Sequence, residues 1–284
     1  MKSLASLLLG ILFLLPHAAC AQDRGFDVGG EVRWAEGTCV VSVSRVLDPS
    51  IQALPRAKSD AEAAMDAAFS GLLFGALSPI VVDSSRTVGD LLKTDPAYFS
   101  WILDLARGAV KDELVLTPDF SRLTARYTFA LMSDRGIATP LFPAQDVPIR
   151  PRLGFISSRV FSGLVIYARD ALPAVGLAKE QVPVPAVFPR LFDEDMNLVL
   201  DKSMCRPAAL AKWGLVGYAQ SIDEDAILKR AGQHPLQITA RAVFGDNPCD
   251  LVIPTDAARR ILSSAENIEL LKEGRIIVIY RSLK

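Results

Sequence analysis

Histidine is nearly missing from this chain: 284 residues contain two, His17 and His234. Only His234 lies beyond the N-terminal leader described below. Nucleophilic catalysis by a Ser-His or Cys-His pair needs an imidazole beside the nucleophile. His234 sits in a Gly232-Gln233-His234-Pro235 turn, and no G-x-S-x-G elbow accompanies it, so a histidine-based hydrolase is not expected. The four cysteines show no C-x-x-C spacing, which removes zinc-ribbon and thioredoxin-like readings. A glycine-rich phosphate loop is missing too. Charge of one sign is not in excess, with 31 Lys and Arg against 32 Asp and Glu, which excludes the basic footprint of a nucleic-acid binder.

Long hydrophobic runs are confined to the start. Met1-Lys2 is followed by an uncharged apolar stretch from Ser3 to Leu15, shorter than the roughly 20 residues that span a bilayer. Residues 1–21 therefore read as a secretory signal peptide, which places the mature protein in the periplasm or at the outer membrane. Two processing sites are open. Ala19-Cys20-Ala21 fits cleavage that leaves Gln22 first, whereas Ala18-Ala19-Cys20 is the end of a lipobox in which Cys20 is the candidate lipidation site and the link to a membrane. An exported chain can form disulfides. Cys205 and Cys249 are a candidate pair, and three reduced, buried cysteines (Cys39, Cys205 and Cys249) are equally compatible with the spacing.

The remaining chain is rich enough in Ala, Val, Leu and Ile for two cores. Residues 22–132 read as a first α+β domain. Cys39 to Val46 is β-branched enough for a strand, and Ala57, Ala61, Ala64, Met65, Ala68, Phe69 and Leu72 form the small-residue stripe of a helix. Ile80 to Asp83 is a short strand, Thr87 to Asp90 a capping box, and Asp95-Pro96 the start of a helix ending at Gly108. Lys111 to Leu116 and Arg122 to Met132 read as a hairpin.

Residues 133–155 carry Pro140, Pro143, Pro148 and Pro151 without a period, as a proline-rich linker or an extended crossing segment does. A second α+β domain follows over 156–284. Its expected elements are an apolar run Phe161 to Ala168, a hairpin around Asp193 to Asn197, and a helix opened by Ser221 to Glu224. After these come one strand from Leu236 to Phe244, a helix capped by Thr255 and a final strand Arg275 to Tyr280. Asp193, Asp195 and Asn197 mimic the start of a calcium loop. Leu198 and Met204 occupy its sixth and twelfth positions, so an acidic turn is expected instead. The fold class is α+β: two small sheet-plus-helix units joined by a proline-rich segment.

The order of several short segments carries a resemblance. In the first half these are the Ala-rich helix, Val82-Asp83-Ser84 with Thr87-Val88, Arg107-Gly108-Ala109-Val110 and the paired strands to Met132. In the second they are Ser162 to Arg169, Pro185 with Pro189 to Asp195, Gly217-Tyr218-Ala219, Asp250 to Ile253 and Asp256-Ala257-Ala258. Together they resemble the FlgP-like family of envelope lipoproteins, longer members included. The resemblance implies a non-enzymatic envelope protein without cofactor or catalytic residues, whose partners are envelope or flagellar-motor proteins or further copies of itself. The alternative is a periplasmic binding module for a small ligand, peptide or glycan, with Ala138 to Arg152 and Phe161 to Ala168 as its walls.

Overall fold

The computed structural model describes residues 25–47, 53–151, 158–222 and 225–281. The expected signal peptide, residues 1–21, and the candidate lipidation site Cys20 lie outside them, as do Asp223 and Glu224 of the expected capping box.

The first domain opens with two paired strands, β1 (Phe26–Arg33) and β2 (Thr38–Val46), and the long helix α1 (Leu54–Leu77). A small ribbon of β3 (Val81–Asp83) and β4 (Arg86–Thr87) leads to α2 (Val88–Thr94) and α3 (Pro96–Arg107). The hairpin β5 (Glu113–Leu116) and β6 (Arg122–Ala130) closes the domain. The main sheet is antiparallel in the order β1-β2-β6-β5. Alternation decides which face is buried: Cys39, Val41 and Val43 on β2 align with Phe129, Tyr127 and Ala125 on β6. α1 lies on that face through Ala57, Ala61, Met65, Phe69, Leu72, Leu73 and Leu77, and Phe69 packs 3.9 Å from the Tyr127 ring, centroid to centroid. The helices begin where their caps dictate. Thr87 and Asp90 form the reciprocal capping box of α2, and Asp95 accepts from the Ala97 and Tyr98 amides at the start of α3.

The second domain holds two further four-stranded sheets. Its elements are β7 (Leu164–Ala168), a two-rung ribbon of β8 (Leu172–Pro173) and β9 (Glu180–Gln181), β10 (Leu191–Asp193), β11 (Leu198–Leu200), α4 (Pro207–Trp213), β12 (Gly217–Ala219) and α5 (Asp225–Ala231). Then come β13 (Leu236–Thr239), β14 (Ala242–Phe244), β15 (Asp250–Ile253), α6 (Thr255–Leu262), α7 (Ala265–Lys272) and β16 (Ile276–Tyr280). One sheet is wholly parallel, β12-β16-β7-β13; the other, β11-β10-β15-β14, is mixed. The parallel strands β7 and β16 read as unbroken apolar runs because both their faces are covered.

Two expected elements need correction, and one strand is added. Leu236 to Phe244 is two strands in different sheets: the Ala240 amide donates to Tyr167 in the parallel sheet, and the Arg241 amide to Val252 in the mixed one. β1 has no counterpart among the expected strands. Thr255 is the first residue of α6 rather than its cap, which falls at Pro254. The proline-rich linker is held at both ends. Ile137 and Ala138 are buried and donate to Ala130 and Leu131 of the first domain, while the Val147 amide donates to Ser203 of the second. A continuous apolar core runs from Cys39 in the first domain to Tyr280 in the second.

Candidate functional site at the domain interface

The β3–β4 ribbon is the part of the first domain that enters the second. Val187 and Phe188 donate their amides to the Val81 and Val82 carbonyls at 3.0 and 2.8 Å, strand-like pairing across the boundary. Beside it Ser84, 3% exposed, plugs the second domain. Its hydroxyl accepts from Arg190 Nη2 at 2.8 Å, and its carbonyl accepts from the Asn247 amide at 2.9 Å. Asn247 Nδ2 also donates to the Asp83 carbonyl. Gly245 makes room for the plug: it has φ +106°, and a Cβ added there would lie 2.2 Å from the Ser84 Cβ.

Arg190 is in turn held by Asp250, which is fully buried. The Asp250 carboxylate accepts from the Arg190 amide at 2.8 Å, from Nε at 2.9 Å and from Nη2 at 2.6 Å. Burial works against the guanidinium charge, but the hydrogen bonds and charge of Asp250 outweigh it and hold the Arg190 pKa above its ordinary value. Nearby, Lys202 donates to the Leu141 carbonyl and lies 4.8 Å over the Phe188 ring; burial first, and then the Arg86 charge, push its pKa down.

The other side of the interface is built on rings. Trp34, at the end of the first hairpin, meets Tyr218 edge-on at 5.3 Å, and Tyr218 meets Tyr280 at 5.6 Å. The Tyr218 hydroxyl is spent on Ala186, donating to its carbonyl and accepting from its amide. Two hollows flank Trp34. One, about 500 Å³, is bordered by Val32, Ile80, Pro185 and Tyr280. The other, about 180 Å³, is bordered by Trp34, Met132, Lys212, Trp213, Gly217 and Arg230.

Arg230 is 7% exposed. Its Nε donates to Gly274 O at 2.8 Å, Nη1 to Trp213 O at 2.6 Å and Nη2 to Gly214 O at 2.7 Å. These carbonyls belong to the ends of α4 and α7, which have no further turn to receive them. Burial pushes the Arg230 pKa down to about 9, so the group is cationic at neutral pH. Gly217 is needed beside it, because a Cβ there would lie 2.9 Å from Nη1.

The residues singled out in the sequence fall elsewhere. Cys205 and Cys249 are separate thiols rather than a disulfide. Cys205 donates to the Leu271 carbonyl, while Cys249 leads into β15 and its thiol lies 3.9 Å from Asp250 Oδ1. With Cys39 they are buried, and burial pushes Cys39 up to about 11, Cys205 up to about 12 and Cys249 up as well, which removes nucleophilic thiolate at neutral pH. His234 is exposed in its turn. Asp193 is fully buried and accepts from the Asp195 and Asn197 amides and from Asn197 Nδ2, which organises the β10–β11 turn around Met196 at φ +59°. No group of three or more His, Cys, Asp or Glu that could hold a metal is present among the described residues. Of the walls expected for a ligand cleft, Leu164 to Ala168 is the inner strand β7, and neither it nor 138–151 borders these two hollows.

Fold and interface together define a two-domain α+β protein whose halves are fastened across a shared core. Residues 26–135 match the family model described as the N-terminal domain of Treponema pallidum Tp0624, and residues 163–282 match the model of that protein's second domain. The chain is thus similar to two successive Tp0624 domains, in the same order and joined by a linker region. No curated protein matches the chain. No helix among the described residues is long and apolar enough to cross a membrane.

Proposed function

We propose that the chain is a non-enzymatic, exported envelope protein with a structural or assembly role, in which two domains act as one stiff body. The supporting observation is the fastening at Ser84: the buried plug, bonded to Arg190, and the strand-like pairing of Val187 and Phe188 with Val81 and Val82 join the two domains, while the Arg190–Asp250 ion pair within the second domain holds Arg190 in place. A part that sets the distance between partners needs such a joint, whereas a hinged enzyme or carrier keeps its interface loose.

Within that reading, the flagellar motor is the first place to look, on the strength of the FlgP-like segments. Several of these segments meet at the joint: Val82-Asp83-Ser84, Pro189 to Asp195 and Asp250. The test is an in-frame deletion scored for swimming and for motor shape by electron cryotomography, complemented by wild type and by Gly245→Ala. Lost density restored by wild type but not by the plug-blocked variant supports the assembly role. Unchanged motors and swimming count against the flagellar placement, and a strictly monomeric protein without crosslinked envelope partners counts against assembly altogether.

A second reading, a periplasmic binding module, is favoured by the hollows beside Trp34.

A further inference from the structure

The smaller hollow and Arg230 carry a more specific inference, one that goes beyond the structural role and does not depend on it. A guanidinium has five N–H donors. Arg230 spends three on the carbonyls of Trp213, Gly214 and Gly274, and each terminal nitrogen keeps a second proton without an acceptor among the described residues. The carbonyls are neutral, so the two helix ends lend only partial negative charge, and no carboxylate among the described residues pairs with Arg230. Arg190, a short way along the same interface, has a buried carboxylate of its own. Arg230 therefore stands at a cavity wall, nine-tenths buried, with donors unspent.

The rest of the lining completes a site. Lys212 borders the same hollow and holds its ammonium 4.3 Å over the Trp213 ring. Trp34 and Met132 supply apolar wall. Glu36 also borders the hollow, but its carboxylate is 62% exposed and lies 3.7 Å from Arg33 Nη1. The local balance is thus cationic. At about 180 Å³ the space is below the roughly 300 Å³ at which drug-sized pockets begin, so the occupant is small.

We propose that this hollow is a binding site for a small planar carboxylate, its anionic group received by Arg230 and Lys212 and its apolar body set against Trp34 and Met132. A planar carboxylate suits the guanidinium fork, and a ring suits an indole wall.

Titration calorimetry of the full mature chain with benzoate tests this, with benzamide as the neutral isostere and inorganic phosphate as a non-planar anion. The expected result is saturable benzoate binding, at least roughly tenfold weaker benzamide binding, and a loss of roughly tenfold or more in Lys212→Met. Lys212→Met touches none of the helix-end carbonyls, so it is informative even if Arg230→Met fails to fold. Binding that weakens as salt is raised is expected for wild type. Absent benzoate binding, equal affinity for benzoate and benzamide, tighter binding of phosphate than of benzoate, or unchanged affinity in Lys212→Met would each overturn the proposal.

Discussion

Two arginines, Arg190 part-buried and Arg230 buried, mark the two sides of one interface, and their charges are met differently. Arg190 has a private carboxylate, Asp250, and its charge is reinforced; Arg230 has carbonyls and the Trp213 ring, 5.3 Å from its guanidinium, but no carboxylate among the described residues, and its charge is held at a cost. The difference separates a joint from a socket. A cation paired inside the protein has its strongest electrostatic partner already. A cation with donors left over at a cavity wall can still accept one from outside.

The comparison can be broken most severely by making Arg190 resemble Arg230. Asp250→Asn leaves the Arg190 guanidinium without its counter-charge and should cost about 3 kcal/mol, the lower end for a broken buried pair, because Arg190 is about one-third exposed. Urea unfolding checks this through a lower midpoint. Next in size is Gly245→Ala. The added methyl collides with Ser84 and the positive φ disfavours alanine, so about 2 kcal/mol of stability should be lost, with increased protease cutting between the domains.

Arg230→Met should be milder, about 1 kcal/mol. It strands three helix-end carbonyls but removes an unpaired buried charge, and the two effects oppose each other.

Alkali sharpens the contrast. The folded pKa of Cys39 is about 11 and that of Cys205 about 12, against 9.0 for a free thiol, so their contribution is intact below pH 9 and is lost as pH rises through the folded values. Each thiol should cost about 1 kcal/mol between pH 9 and pH 10. Arg230 acts in the opposite sense. Its folded pKa of about 9 lies below the ordinary 12.5, so above pH 9 the unfolded chain holds the extra proton and folding is favoured as pH rises. Arg230→Met should therefore lose stability more steeply than wild type above pH 9, by about 1 kcal/mol per pH unit. Equal slopes would contradict the assigned state of Arg230.

Much of the fold is legible in local chemistry alone. The caps at Thr87 and Asp95 and the alternation from Leu123 to Leu131 are decided by neighbours a few residues away, and the elements follow them. β1 escapes such a reading because Gly29 and Gly30 interrupt a largely exposed edge strand, which leaves little apolar signal. The break inside Leu236 to Phe244 is hidden for another reason. The two-residue period continues through Ala240 and Arg241, while the change of sheet is set by partners far along the chain, Tyr167 and Val252.

The interface is the least legible part. Ser84, Arg190, Asp250 and Arg230 are ordinary polar residues in sequence and become informative only when the fold gives them their partners and takes water from Ser84, Asp250 and Arg230.

Differential scanning calorimetry of the protein tests the claim of a single fastened body most directly. The account predicts one transition whose calorimetric and van't Hoff enthalpies agree, and a split into two when Gly245→Ala blocks the plug. Two separate transitions in the wild-type protein would contradict it.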